Sequence, residues 1–241
     1  RQPRRGVLGN TMTQNNLAVW GDPIEHSRSP LLHAAAYREL GLDWHYGRQQ
    51  VDAEGFDTAL AELDASWRGL SLTMPLKERA FAAAASRDRH ATLTGAVNTL
   101  HFAVDGLRGY NTDVGGLGRA LRRQGIEEVD TARIVGAGAT AASALVTLVD
   151  LGVRRVEVAA RNPSKASALV DLGAALQVLV VPSALDAGAL ASVDVTIGTL
   201  PGGTRLDAPV ADALATAGGA LLDVAYSPWP SALAEHWLAQ G

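Results

Sequence analysis

The sequence contains no cysteine, so disulfide bonds, thiolate nucleophiles and cysteine-ligated metal sites are all excluded. Aromatic residues make up only 5% of its 241 residues, which predicts a core built from aliphatic side chains. Positive charge is not in excess, because 25 acidic residues against 21 lysines and arginines give a net charge of -4. A phosphate backbone needs a basic surface, so nucleic acid is not an expected partner.

Long apolar runs are also absent. The uncharged stretch at residues 134–149 is interrupted by glycine, serine and threonine, and it is shorter than the roughly 20 apolar residues that a spanning helix needs. The first 16 residues hold three arginines and no apolar run of the kind found in secretory signals. We therefore expect no membrane partner and a cytoplasmic location. Met12 is the expected natural start, and residues 1–11 are left out of the fold prediction.

Short apolar runs alternate with helical stretches from residue 17 onward, a pattern typical of α/β folds with a mostly parallel sheet. Pro30 is placed to open a helix that Gly41 closes, and Asp113 is placed to cap another. Asp105 and Gly106 predict a hairpin turn. The predicted strands form two series, at 17–20, 44–49, 70–73 and 97–102, and at 132–135, 155–159, 177–181, 193–197 and 220–224, with alanine-rich helices between the strands of the second series. This predicts two lobes, at residues 12–112 and 113–241, joined by a helix near 113–124.

The strand predicted at 132–135 runs directly into a G-x-G-x-x-A motif and then a helical stretch. In such a motif Gly136 allows the tight turn, Gly138 lets the backbone approach a pyrophosphate, and Ala141 permits close packing of helix on strand. A second strand follows at the spacing of a βαβ unit, which favours dinucleotide binding over a merely tight turn. The second lobe is therefore predicted to be a Rossmann-like, doubly wound domain.

The end of the second strand of this unit discriminates between the two nicotinamide dinucleotides. An NAD site usually places an acidic residue there, whereas this chain has Arg161 with Asn162 and Lys165 close behind. A guanidinium can stack on adenine and pair with a 2′-phosphate, so the sequence favours NADP. The alternative for Lys165 is a solvent-exposed loop in which Ser164 caps the next helix. Glu157, inside the strand, is interpreted as solvated.

Two hydroxyl side chains precede the helix that Pro30 opens. Ser27 and Ser29 alternate there, an arrangement suited to holding a carboxylate with neutral donors and the helix dipole, although N-capping by Ser29 explains the same pattern. Lys77 is placed one turn into a later helix, where a lysine is usually exposed. The histidines lack metal-ligand spacing, so no metal site is predicted, and His26 and His33 are interpreted as surface or packing residues.

The motifs D-P-I-x-H-S-R-S-P, L-T-M-P-x-K, G-A-V-N-T-L, G-x-N-T-D, G-A-G-A-T-A and A-R-N follow one another between about residues 17 and 237. In this order they resemble the shikimate dehydrogenase family. The resemblance implies reversible, NADPH-dependent reduction of 3-dehydroshikimate to shikimate, within the pathway through chorismate to the aromatic amino acids. It also implies a small-molecule substrate and a monomer or homodimer.

The resemblance also assigns roles to particular positions. It implies that Ser27 and Ser29 bind the substrate carboxylate with help from Tyr226, and that Lys77 and Asp113 form the catalytic pair. An ammonium beside the reacting ketone would stabilise developing alkoxide charge and hand over a proton. Ring hydroxyls would be surrounded by Thr73, Lys77, Asn98 and Asp113. The implied cofactor-binding residues are Gly136, Ala137, Gly138, Ala139, Thr140, Arg161, Asn162, Lys165 and Val224.

Two features depart from the family pattern. Ser71 stands where many members have asparagine, and it is expected to alter contacts to the substrate ring or to enlarge the pocket. Family members also continue beyond the position of Gly241 with a helix that supplies a substrate-binding glutamine, which predicts a fragment or a shortened member with an incomplete cleft. The alternatives are a quinate/shikimate or related cyclic hydroxy-acid dehydrogenase, and a non-catalytic NADP-binding module. The module would be expected to lack Lys77 or Asp113.

Overall fold

The computed structural model describes residues 15–188 and 190–240, which form two α/β lobes, each built on its own sheet. The expected start at Met12 and the outer limits of the predicted domains, residues 12 and 241, lie outside the described residues. The predicted boundary at residues 112 and 113 falls between the last strand of the first sheet and the helix that leads to the second. That boundary stays a prediction. Within residues 15–188 and 190–240, every helix falls short of the length and apolar character that a membrane-spanning helix needs.

The first lobe contains a six-stranded mixed sheet in the order β2-β1-β3-β5-β6-β4. Its strands are β1 (Asn15–Gly21), β2 (Trp44–Gln50), β3 (Trp67–Leu72), β4 (Ser86–Arg87), β5 (Thr99–Ala103) and β6 (Gly106–Tyr110). Strands β1, β2 and β3 are parallel, whereas β5 runs antiparallel to both β3 and β6. Its helices are α1 (Ser29–Glu39), α2 (Phe56–Ala61), α3 (Lys77–Ala83) and α4 (Arg89–Thr94).

The core of the first lobe is partly aromatic, which corrects the expectation of an aliphatic core. Trp20 is fully buried and packs edge-on against Phe56 and Trp67, with ring centroids 6.2 Å and 6.5 Å away. Three of the twelve aromatic side chains therefore pack together in this core. The core of the second lobe is the aliphatic one, made of alanine, valine, leucine and isoleucine.

The second lobe contains a five-stranded, all-parallel sheet in the order β11-β10-β7-β8-β9. Its strands are β7 (Thr131–Val135), β8 (Arg155–Ala160), β9 (Leu179–Ala184), β10 (Val195–Gly198) and β11 (Ala220–Asp223). Its helices are α5 (Asp113–Arg123), α6 (Ala139–Val149), α7 (Ser167–Ala175), α8 (Ala208–Ala217) and α9 (Ala232–Gln240). The chain adds strands outward from β7 in one direction and then from β10 in the other. This confirms the doubly wound, Rossmann-like prediction and puts the topological switch point, where such sheets bind ligands, between β7 and β10.

The predicted cap by Asp113 is wrong, and so is the alternative interpretation of Ser29 as a cap. Helix α5 starts at Asp113 itself, with Thr112 before it, and the side chain of Thr112 makes no capping hydrogen bond. Helix α1 likewise starts at Ser29, and the backbone N–H of Ser29 is met by Ser27 Oγ at 3.3 Å. The side chain of Asp113 is therefore available for contacts outside its own helix.

Two further local predictions need correction. Ala103 pairs with Gly106, so the hairpin loop is Val104 and Asp105, while Gly106 already belongs to β6. No helix joins β9 to β10 within residues 185–188 and 190–194. Asp186 Oδ1 instead accepts a hydrogen bond from the backbone N–H of Gly188 at 2.9 Å, a local turn that competes with helix formation.

Glu157 is not solvated, contrary to the sequence interpretation. Its carboxylate forms a salt bridge with Arg133 at 2.8 Å, and only 14% of the Glu157 side chain and 0% of the Arg133 side chain is exposed. The two residues are register partners on the adjacent parallel strands β7 and β8. A charged pair therefore lies inside the second lobe.

Candidate active site

The cleft between the two lobes has two adjoining compartments. The dinucleotide compartment, about 840 Å³, is lined by the glycine-rich turn after β7 and the loop after β8. The substrate compartment, about 790 Å³, is lined by the loop before α1, the end of β3 and the residues around the start of α5. Lys77 and Thr140 line both compartments. The point where the two spaces meet is therefore marked by a lysine.

Lys77 is held by an aspartate from another helix. Its Nζ lies 2.6 Å from Asp113 Oδ2, and the two side chains are 11% and 28% exposed. Thr140 Oγ1, from the second lobe, lies 3.4 Å from the same Nζ. All three residues stand at or next to helix N-termini, whose partial positive charge opposes an ammonium. The carboxylate of Asp113 offsets that opposition.

Two asparagines fix the aspartate. Asn98 Nδ2 donates to Asp113 Oδ1 at 2.7 Å, so each carboxylate oxygen of Asp113 has a partner. Asn111, only 1% exposed, accepts from the Asp113 backbone N–H at 3.0 Å and donates to Ser143 Oγ, on α6, at 3.0 Å. The sequence prediction did not include Asn111 among the site residues, although its place directly before the Thr-Asp pair was a visible signal.

Ser27 and Ser29 both line the substrate compartment at the N-terminus of α1. Ser27 is 8% exposed, and its backbone carbonyl accepts a hydrogen bond from Arg48 at 3.4 Å. Tyr226, 49% exposed, lines the same compartment from the second lobe, with its ring centroid 6.5 Å from that of His26. The structure thus brings the three side chains proposed for carboxylate binding to one compartment.

The end of β3 supplies the next pair of predicted residues. Ser71 lines the substrate compartment, and Thr73 lines both compartments. Ser71 Oγ accepts a hydrogen bond from the hydroxyl of Tyr46 at 2.6 Å. Val224, predicted as a cofactor contact, lines the substrate compartment. Val224 is thus the one predicted cofactor contact that lines the substrate compartment and not the dinucleotide compartment.

The glycine-rich turn leaves room in front of helix α6. Gly136 has φ +117°, and a Cβ there would come 2.5 Å from Thr199 Oγ1, so the turn requires glycine. A Cβ at Gly138 would meet no atom within 4 Å, and no side chain caps the helix start at Gly138. The open helix N-terminus fits a pyrophosphate, which needs backbone N–H donors and close backbone approach. Ala137, Ala139 and Thr140 complete the lining of this turn.

Two cations stand on the loop after β8. Arg161, Asn162 and Lys165 are exposed and line the dinucleotide compartment. Asn162 Oδ1 accepts from the backbone N–H of Ser164 at 3.1 Å, so Asn162, not Ser164, caps the short helical turn that follows. Lys165 and Lys77 are the two lysines of the whole sequence, and both line this compartment.

Residues 199–201, directly after β10, line both compartments and were missed by the sequence prediction. The strand order could have revealed them. Ligands bind to such sheets where the strand order reverses, which here is between β7 and β10. Within residues 15–188 and 190–240, no group of three or more histidine, aspartate or glutamate side chains is arranged to hold a metal ion.

Comparison with known proteins agrees with this geometry. The family model for the shikimate dehydrogenase substrate binding domain matches residues 19–100. The NADP-dependent shikimate dehydrogenase of Methylibium petroleiphilum is 35% identical over 232 residues, covering 89% of this chain and 78% of the relative. That of Natronomonas pharaonis is 35% identical over 229 residues, covering 92% and 83%.

Solved structures show the same likeness. Mycobacterium tuberculosis shikimate dehydrogenase superposes with a TM-score of 0.81 at 39% identity, covering 94% of this chain and 85% of the other. The Thermus thermophilus enzyme in complex with NADP(H) and shikimate gives a TM-score of 0.77 at 28% identity, covering 95% and 85%. On these matches over most of its length, the chain belongs to the shikimate dehydrogenase family.

Proposed function

We propose that this chain catalyses the reversible, NADP-dependent reduction of 3-dehydroshikimate to shikimate, with Lys77 and Asp113 as its catalytic pair. The reaction is that of the family's NADP-dependent shikimate dehydrogenases. The single observation that supports the role of Lys77 is the position of its Nζ, which adjoins both compartments and is held 2.6 Å from Asp113. We further propose lobes at residues 12–112, for substrate, and 113–241, for the dinucleotide.

The dinucleotide compartment suits NADP in its chemistry. When bound there, NADPH supplies the hydride. The open N-terminus of α6 at Gly138 offers N–H donors to the pyrophosphate. Arg161 and Lys165 bring two cations to the loop where an NAD site would carry an acid, which supports binding of the 2′-phosphate.

The substrate compartment presents donors at one end and the catalytic pair at the other. Ser27 and Ser29, at the positive N-terminus of α1, would bind the substrate carboxylate. Tyr226 would contact the same carboxylate from the second lobe. Thr73 and Asn98 would hold ring hydroxyls. Binding the carboxylate at a distance from Lys77 fixes which ring carbon faces the dinucleotide.

Lys77 handles the proton of the reaction. As hydride reaches the carbonyl carbon, the ketone oxygen gains negative charge, and the Lys77 ammonium stabilises that charge and then donates the proton that completes the alcohol. Oxidation of shikimate reverses this, with neutral Lys77 accepting the hydroxyl proton. Asp113 holds Nζ through Oδ2, while Asn98 fixes Oδ1, so the ammonium stays aimed at one position.

One observation favours testing a second substrate. The side chain of Ser71 is shorter than the asparagine that many family members carry, which leaves more room beside the ring. We therefore include quinate, a related cyclic hydroxy acid, as the alternative substrate. A non-catalytic module receives no support, because Lys77 and Asp113 are both present and paired.

The test is the initial rate of NADP⁺ reduction by the purified chain with excess shikimate, with quinate and NAD⁺ in parallel. We expect a rate largely confined to shikimate and NADP⁺. Lys77→Ala should lower kcat by about 10²–10⁴-fold, as expected for loss of a general acid, with NADP⁺ affinity within about twofold of wild type.

Lys165→Ala is the matched control, because it removes the other lysine of the chain. It should leave kcat unchanged and weaken only the apparent affinity for NADP⁺. Near-wild-type turnover by Lys77→Ala would remove Lys77 from the mechanism. A wild-type chain with no rate on shikimate would overturn the proposed activity, and a higher kcat/KM on quinate would replace the substrate.

A further inference from the structure

A buried tyrosine stands directly behind the carboxylate-binding end of the substrate compartment. Tyr46, on β2, is 7% exposed and is not part of the compartment lining. Its hydroxyl donates to Ser71 Oγ at 2.6 Å, and the imidazole of His33, which stacks on the Tyr46 ring, is tied to the backbone carbonyl of Ser29. Tyr46 is therefore linked to two serines that both line the compartment, to Ser71 directly and to Ser29 through His33.

The ring of Tyr46 is held in place by its neighbours. The imidazole of His33 stacks on it with centroids 3.8 Å apart and an interplanar angle of 8°. His33 is itself tied to α1, because its Nδ1 lies 2.9 Å from the backbone carbonyl of Ser29. The stack leaves the phenol little freedom to turn away from Ser71. Its position is set by β2 and α1 together.

The polarity of the contact decides what Ser71 offers to a ligand. A phenol keeps its single proton at neutral pH. Among the described residues, Ser71 Oγ is the one side-chain oxygen within hydrogen-bond distance of the buried Tyr46 hydroxyl, at 2.6 Å, so the phenol donates its proton there. Since the phenol already donates to Ser71, the hydroxyl hydrogen of Ser71 must find its acceptor elsewhere, and the compartment that Ser71 lines is where a ligand provides one.

The contact also locates Ser71 along the cleft. Because Ser71 contacts the Tyr46 hydroxyl and Ser29 is tied to the same ring through His33, the two serines lie at the same end of the substrate compartment. The catalytic pair is tied instead to Asn98, which contacts Asp113. Ser71 therefore belongs with the serines proposed for the carboxylate rather than with the groups proposed for the ring hydroxyls.

We infer that Tyr46 is a positioning residue that turns Ser71 into a hydrogen-bond donor for the substrate carboxylate, next to Ser29. The inference rests on the proposed function, since it takes the ligand to be a cyclic hydroxy acid. It assigns the position that departs from the family pattern to carboxylate recognition. Tyr46 acts through Ser71 and touches no reacting atom.

The experiment compares steady-state kinetics of wild type, Tyr46→Phe and Tyr37→Phe. Tyr46→Phe should raise the KM for shikimate about tenfold, at the low end for a hydrogen bond to a charged group. Its kcat and its KM for NADP⁺ should stay within about twofold. Tyr37 is the matched control, a buried tyrosine of the same apolar cluster whose phenol pKa is raised by burial alone. Tyr37→Phe should change the KM for shikimate less than twofold.

Two further arms separate positioning from packing. In a Ser71→Ala background, Tyr46→Phe should add less than twofold, because the hydroxyl it orients is gone. With shikimate methyl ester as substrate, the Tyr46→Phe penalty should fall to about threefold, since a neutral acceptor forms a hydrogen bond roughly half as strong. A penalty of equal size on acid and ester would overturn the assignment to the carboxylate.

The remaining outcomes are equally decisive. An unchanged KM for shikimate in Tyr46→Phe, an equal rise in Tyr37→Phe, or full additivity with Ser71→Ala would each refute the role of Tyr46 while leaving the proposed function intact. A wild-type chain that neither oxidises shikimate nor is stabilised by it against heat would refute the proposed function and this inference together. The wild-type arm shows that result before any variant is compared.

Discussion

Removing Glu157 should destabilise this protein more than any single change on its surface. The Arg133 side chain is fully buried and donates from Nε at 2.9 Å and from Nη2 at 2.8 Å to Glu157 Oε2. Its remaining contacts are neutral backbone carbonyls, of Ala191 at 2.7 Å and of Ala217 at 3.5 Å. Glu157→Ala therefore leaves a buried guanidinium without an opposite charge.

The magnitude follows from that loss. Breaking a buried ion pair by removing one partner costs about 3–5 kcal/mol, because the other charge stays desolvated. For a protein of this size, each kcal/mol lowers the Tm by roughly 2–4 °C, so Glu157→Ala should lower it by roughly 6–20 °C. Total stabilities are typically about 5–15 kcal/mol, so this loss would be a large part of the whole.

The assay is thermal and urea denaturation of the wild type, Glu157→Ala and a control. The control is Arg154→Gln, which breaks the ion pair between Arg154 and Asp130. The Arg154 side chain is 80% exposed and that of Asp130 is 50% exposed. Solvent and salt screen such a pair, so its loss should hardly move the Tm. If Glu157→Ala and Arg154→Gln shift the Tm equally, the buried pair is not the stabilising element that its burial implies.

Three other predictions concern the cleft. In parallel assays, Arg161→Ala should raise the KM for NADP⁺ about 10–100-fold and the KM for NAD⁺ less than threefold. An equal rise in both KM values would refute binding of the 2′-phosphate by Arg161. Gly138→Ala should keep the wild-type Tm but weaken NADP⁺ binding in calorimetry, whereas Gly136→Ala should lower the Tm, because its Cβ would meet Thr199. A lower Tm in Gly138→Ala and a wild-type Tm in Gly136→Ala would refute the open helix N-terminus at Gly138. Asn111→Ala should cost about 1–3 kcal/mol in urea denaturation and also lower kcat, because the Asp113 backbone N–H loses its acceptor and the buried Ser143 hydroxyl loses its donor. A stability loss with unchanged kcat would limit Asn111 to packing.

Strand prediction succeeded throughout the second sheet. Its five strands are short, mainly apolar runs, and each predicted run overlaps the observed strand. Two strands of the first sheet, β4 (Ser86–Arg87) and β6 (Gly106–Tyr110), are not apolar runs, and neither was predicted. The helix expected between β9 and β10 failed for a local reason, since Asp186 and Gly188 form a turn that composition does not reveal.

The site was predictable as a set of residues, but of its side-chain pairs only Lys77 with Asp113 was expected. Motifs identified Lys77, Asp113 and Asn98, and the structure brings them together. The partner of each side chain depends on tertiary register, which a linear pattern does not contain. Glu157 shows this clearly, because an acidic residue in a strand is usually solvated, and its partner Arg133 is adjacent only through the pairing of β7 with β8.

The position of Lys77 is costly for the fold, and that cost is informative. Its ammonium lies at the N-terminus of α3 and close to those of α5 and α6, three ends whose partial charges are all positive. An apolar residue there would avoid both the repulsion and the desolvation of a side chain only 11% exposed. The repulsion is offset by a carboxylate that is itself fixed by Asn98 and Asn111. A desolvated ion pair generally contributes little net stability, so a network assembled around one lysine supports the proposed role of Lys77 in the reaction. The same convergence of helix ends places the proposed proton donor where the two compartments meet.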